Sequence, residues 1–198
     1  MRKKSHILVA RYLADQMPGA VSLQMHRKAF CLGSILPDIQ PSFVTKRHEF
    51  STTFEEVQEK IRRLTADMNA FRISKDRVYW RRLGEIIHYI ADYFTFPHNA
   101  HYTGTLLEHT HYEKELKDRL KACINSGDAA IYTRTALDFN SAKELIDFIR
   151  KSHELYVKKA RNVLEDIDFI LTVCYQTVQG MFRLIQKCCG YTYAMNGN

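Results

Sequence analysis

An all-α fold, a multi-helix bundle forming one domain over residues 1–198, is what this sequence predicts, and three observations carry it. Apolar residues recur at intervals of three and four over long stretches, helix-start and helix-stop residues bracket those stretches, and strand signals are nearly absent. Ser5 stands where it can cap a first helix through Ile7, Leu8, Tyr12 and Leu13, with Pro18-Gly19 as the stop. A second, short helix runs through Met25 and Phe30. Gly33 to Pro41 (GSILPDIQP) reads as a loop, because its prolines and glycine leave no room for a regular element. Thr52 and Thr53 each precede a glutamate by three residues, a doubled capping-box signal for a helix through Val57, Ile61 and Leu64.

A central helix is expected from about Asp76 to Phe96, where Leu83, Ile87, Ile90 and Phe94 repeat at helical spacing and Pro97 marks the stop. Another covers about Thr105 to Ile124, closed by Asn125-Ser126-Gly127. Two long helices follow, one from Ser141 with Glu144 as its capping glutamate, the other from about Asp166 to Cys189, closed by Gly190. Ile131-Tyr132-Thr133 is a weak strand candidate.

With 198 residues and 45% hydrophobic content, the chain can close one core. The formal charge of +7 favours phosphate-bearing partners such as lipid headgroups or nucleic acid, although a solvated basic surface accounts for it equally well. Five cysteines without C-x-x-C spacing argue against a disulfide framework or a thiolate zinc site, so reduced thiols in a cytoplasmic protein are expected. The first residues begin like a signal peptide, but Arg11 and Asp15 interrupt the apolar run, and no stretch approaches the length of a membrane span.

Nine histidines exceed what a core of this size normally uses. His88 and Asp92 are four apart on the central helix, so they leave the same face one turn from each other, and Gly84 one turn earlier leaves room beside them. Such a pair can grip zinc, yet alone it is more often an ordinary hydrogen-bonded pair. The next helix offers two pairs at that spacing, His109 with Glu113 and His111 with Glu115, on opposite sides because two residues rotate a helix by about 200°. Leu106, Leu116 and Leu120 share the face of the first pair, which predicts burial there and solvent exposure for His111 and Glu115. Asp38 in the Pro-bounded loop, His48 and His98 after Pro97 are further candidates. His26 and His153 sit among charged neighbours and are expected at the surface. His101 lies near His98; Arg77, Arg81 and Arg82 read as a solvated helix face, although Arg81, two turns before His88 on the same side, could meet a substrate phosphate.

These residues in this order resemble the zinc-dependent phospholipase C family, whose relatives include the fungal zinc-dependent single-strand nucleases. The matching segments are Ser5-His6-Ile7, Gly33-Ser34-Ile35-Leu36-Pro37-Asp38, His48, Leu83-Gly84 with His88-Tyr89 and Asp92, Pro97-His98-Asn99, and His109 with Tyr112-Glu113. The resemblance implies an all-helical domain with two or three zinc ions in one cleft. Asp38, His48, His88 and Asp92 would hold the first ion, His98, His109 and Glu113 the second, and His6 with a bridging Asp92 the third. It also implies a zinc-bound hydroxide as nucleophile, with Asp38 orienting the water or taking its proton. Two positions depart from the family pattern. Secreted members give the amine and carbonyl of an amino-terminal tryptophan to the third zinc, and no Trp lies near the start here; Ile39 stands where an aromatic residue helps to cage choline.

The function expected is hydrolysis of a phosphodiester, with phospholipid as the substrate, peripheral contact with a membrane surface and no transmembrane segment. Nucleic acid is the less favoured partner, and a zinc nuclease is the first rival. A non-catalytic helical metal-binding protein is the second, which closed four-ligand sites would support.

Overall fold

In a computed structural model of the chain, described for residues 1–17, 21–39, 48–66, 75–159 and 162–188, every regular element is helical. The helices are α1 (Lys3–Asp15), α2 (Val21–Met25), α3 (Arg27–Gly33), α4 (Phe50–Ala66), α5 (Arg77–Tyr93), α6 (Leu106–Ser126), α7 (Ala142–Lys159) and α8 (Val163–Cys188), with 3-10 turns at Leu36–Asp38, Phe96–His98 and Asp128–Thr133. The all-α expectation holds. No described helix is long and apolar enough to cross a membrane.

The central helix is α5. Trp80, Leu83, Ile86, Ile87 and Ile90 are buried on more than one of its faces, as a helix enclosed by others requires. It packs against α3, α4 and α8, and α8 in turn packs against α6 and α7. Asp76 caps it, its Oδ1 accepting from the Val78 and Tyr79 amides at 2.7 and 3.2 Å. The helix ends at Tyr93, four residues ahead of Pro97, and the chain turns through Phe96–His98, which carries His98 back over the helix end.

The room at Gly84 is taken by backbone rather than by a ligand side chain. A Cβ on Gly84 would run into the Phe30 carbonyl oxygen, and one on Gly33 into the Arg81 carbonyl oxygen. This crossing of α3 over α5 sets the place of Ser34 and of the Leu36–Asp38 turn that follows. Gly84→Ala is therefore expected to destabilise the protein by about 1 to 3 kcal/mol through overpacking, read as a lowered denaturation midpoint. An unchanged midpoint would show that the crossing is not as tight as described.

Several boundaries differ from the sequence expectation. α1 starts ahead of Ser5, which is buried within it without a capping bond. The short second helix is split at His26 into α2 and α3. Thr52 and Thr53 lie inside α4, their hydroxyls donating to the Glu49 carbonyl at 3.0 and 2.9 Å instead of capping. The expected start of the last helix at Asp166 is overtaken by Asn162, whose Oδ1 accepts from the Leu164 and Glu165 amides. Ile131-Tyr132-Thr133 lies in a 3-10 turn, because Gly127 in the left-handed region (φ 87°) redirects the chain straight into it. Pro18-Gly19, Pro41 and Cys189-Gly190, expected as stops or loop ends, lie outside the described residues.

Candidate metal centre

Five segments converge at one end of α5. α1 brings His6 and the residues ahead of it bring Met1, the Leu36–Asp38 turn brings Asp38, and the residues ahead of α4 bring His48. α5 itself brings His88 and Asp92, while the Phe96–His98 turn and α6 bring His98, His109 and Glu113. Two groups result. His6, Asp38, His88 and Asp92 are buried, with one ligand atom of each within 4.8 Å of the others; His98, His109 and Glu113 form a half-buried group by the same measure. His48 adjoins the first group, its Nδ1 lying 3.1 Å from Asp92 Oδ2 and 3.8 Å from Asp38 Oδ1.

Asp92 faces both groups. Its Oδ2 is 3.3 Å from His88 Nε2 and 3.1 Å from His48 Nδ1. Its Oδ1 is 3.3 Å from His6 Nε2, 3.7 Å from His98 Nδ1 and 2.5 Å from the Met1 amine. Burial pushes this carboxyl up, but the Met1 amine and the imidazoles outweigh it and hold Asp92 well below the usual carboxylate range. In the second group Glu113 Oε1 lies 3.3 Å from His98 Nε2, 3.3 Å from His109 Nε2 and 3.2 Å from the Met1 amine. Burial opposes ionisation here too, yet His98 and the amine bring the Glu113 carboxyl down to about 2.

The residues fit a soft-to-borderline cation. His6 is 1% exposed and neither ring nitrogen has a hydrogen-bond partner, while its ring stacks on His88 at 3.9 Å. Burial and the neighbouring His88 hold His6 neutral, with its pKa lowered to about 3. A neutral imidazole with its one lone pair free beside two carboxylates is the donor set zinc takes, whereas magnesium and calcium prefer oxygen alone. His88 Nδ1 donates to the Ser34 carbonyl at 2.9 Å, which leaves Nε2 to face Asp38 and Asp92 as an acceptor.

The second group opens onto a cleft of about 730 Å³ lined by His48, His98, Tyr102, Leu106 and His109 among others. His111 and Glu115 are exposed, and Glu115 accepts from Arg119 at 2.7 Å. The expected apolar side of α6 is buried only further along, at Leu116 and Leu120; Leu106 is 83% exposed. Burial of His109 and Glu113 is correspondingly partial. Arg81 sits beside Glu85, at 3.7 Å, and does not line the cleft. His101 is exposed. Contrary to the surface expectation, His153 is half-buried, stacked on Phe50 at 3.9 Å and hydrogen-bonded to Asn99 at 3.0 Å, and His26 is half-buried beside Trp80.

Sequence reasoning missed the Met1 amine. It lies 2.5 Å from Asp92 Oδ1 and 2.7 Å from His98 Nε2, and no side-chain pattern signals a backbone amine. It also missed the Ser34 carbonyl, whose place follows from the Gly33–Gly84 crossing.

No curated protein and no solved structure matches the chain. The sequence profile of the zinc-dependent phospholipase C family matches residues 5–163, a span that includes His6, Asp38, His48, His88, Asp92, His98, His109 and Glu113. The chain belongs to the zinc-dependent phospholipase C family.

Proposed function

We propose that the chain is a phosphodiesterase that cleaves phospholipid, with one zinc held by Asp38, His48, His88 and Asp92 and a second by His98, His109 and Glu113. His6 and a bridging Asp92 are the donors for a third. The observation that carries the reading is the buried, hydrogen-bond-orphaned His6 beside an Asp92 whose two oxygens face different ligand groups. Zinc, when bound, supplies a Lewis acid for the phosphoryl oxygen and lowers the pKa of water toward neutrality.

The chain's own residues do the rest. Asp38 Oδ1 stands 3.6 Å from His88 Nε2 and 3.8 Å from His48 Nδ1, among the ligands of the first ion, which places it to orient the attacking water and take its proton. The Ser34 carbonyl keeps His88 in one tautomer. The open cleft beside the second group admits substrate, which a closed structural site would not need. Leu106 and Leu107, 83% and 66% exposed at the first turn of α6, favour a substrate with apolar chains over single-stranded nucleic acid, which calls for stacking platforms.

Hydrolysis of a soluble chromogenic phosphodiester is expected to need metal, to stop with chelator and return with zinc, and to fall away below about pH 6 as protons compete for imidazole. Phospholipid vesicles should be cleaved faster than single-stranded DNA at matched salt. Activity that survives chelation would overturn the metal mechanism, and faster cleavage of DNA would make the chain a nuclease.

A further inference from the structure

We infer that Asp166 is a positioning residue for the second ligand group, an inference that rests on His98, His109 and Glu113 holding metal as proposed. Asp166 lies in the first turn of α8, fully buried, beyond the residues that the family profile matches. Its Oδ2 accepts from the Phe96 amide and the Tyr112 hydroxyl, each at 2.9 Å, and its Oδ1 accepts from the Tyr156 hydroxyl at 2.7 Å. Phe96 opens the turn that carries His98, and Tyr112 immediately precedes Glu113 on α6. One carboxylate oxygen therefore joins the two segments that supply the second group, and the other fastens the carboxylate to α7.

Simpler roles do not account for this residue. An aspartate in a first helical turn commonly caps the helix, but Asn162 already accepts from the Leu164 and Glu165 amides, and the donors to Asp166 come from three other segments. Packing alone would place an apolar side chain here, because burying a carboxyl is costly unless its oxygens are matched. Burial indeed pushes Asp166 up to about 7 against the pull of its three donors. The Phe96 amide is a backbone donor, so only an acceptor at position 166 meets it in this arrangement. Groups hydrogen-bonded directly to metal ligands typically alter metal affinity by about 10- to 100-fold when removed. Asp166 holds the residues beside the ligands, so its effect on affinity should be smaller, whereas a general brace alters only stability.

Zinc affinity of the full chain, measured by competition with a chromophoric chelator, separates these roles when paired with circular dichroism and thermal melts. Asp166→Ala is expected to weaken one class of zinc site by up to about 10-fold, the low end for groups behind metal ligands, while the remaining zinc stays bound. Asp166→Asn should recover most of that affinity, because its amide oxygen can replace Oδ2 while its nitrogen donates to the Tyr156 hydroxyl. Tyr112→Phe should weaken the same site severalfold, and Tyr156→Phe should lower the melting temperature without touching zinc. Equal zinc affinity in wild type and Asp166→Ala overturns the positioning role and leaves the metal reading standing. A wild type that takes up no zinc overturns both. If Asp166→Ala does not fold, the two tyrosine variants decide: equal zinc loss in both, following the melting temperature, makes Asp166 a stability brace and nothing more.

Discussion

Asp92→Asn is expected to cost the protein more than one zinc ion and nearly all hydrolytic activity. Asp92 is fully buried, with His48 and His88 on one oxygen and His6, His98 and the Met1 amine on the other. An amide carries no charge and offers one metal-binding oxygen in place of two, so the two groups that Asp92 faces cannot both keep it. The metal-free protein should also suffer, since the Met1 amine would remain buried without its closest counter-charge, a change that costs about 3 to 5 kcal/mol when a buried pair is broken. The sign of the pH dependence follows from the depressed Asp92 pKa. Its contribution to stability is present above the unfolded carboxyl value of about 3.9 and is lost as pH falls through the lower folded value. The gap between wild-type and variant metal-free melts should therefore be full at neutral pH and close only in acid below about pH 4. Elemental analysis supplies the companion measurement, and loss of only one ion would confine Asp92 to one group.

Much of this fold was legible because its signals are local. The periodic apolar positions of α5, the Asp76 cap and the Gly127 stop act within a turn or two, and each lies close to where its pattern placed it. Local signals failed where several residues competed for one role. Thr52, Thr53 and Ser5 all have capping chemistry, but Glu49 and Arg2 lie where those helices begin, and the hydroxyls are taken into the first turns. The same divide runs through the candidate site. His88 with Asp92, and His109 with Glu113, can be found by counting along one helix, whereas their meeting with Asp38 and His98 depends on how helices cross. The place of Asp38 is written in Gly33 and Gly84, where the backbone of α3 lies against α5, while that of His98 follows from the Phe96–His98 turn. Asp166 carried no site signal at all, because its partners are an amide and two hydroxyls on segments remote in sequence.

His109→Ala should remove one zinc ion and most of the activity, whereas His111→Ala should keep both. The two side chains are identical and two residues apart on α6, so helix face alone separates them. His109 Nε2 lies 3.3 Å from Glu113 Oε1, and its ring centre is 5.5 Å from that of His98, inside the cleft. His111 is exposed on the other side, near Glu115, which already accepts from Arg119. A solvated pair of this kind is worth about 0.3 to 0.5 kcal/mol, too little to move the melting temperature far. The fold should survive His109→Ala as well, because Glu113 keeps His98 and the Met1 amine as partners and is not left as a bare buried charge. Retained helicity with a missing metal ion is therefore the signature to look for, read by circular dichroism and elemental analysis on the same preparation. Should His111→Ala be the variant that loses the ion while His109→Ala keeps it, α6 presents its opposite face to the metal, and the place of Glu113 in the site falls with that of His109.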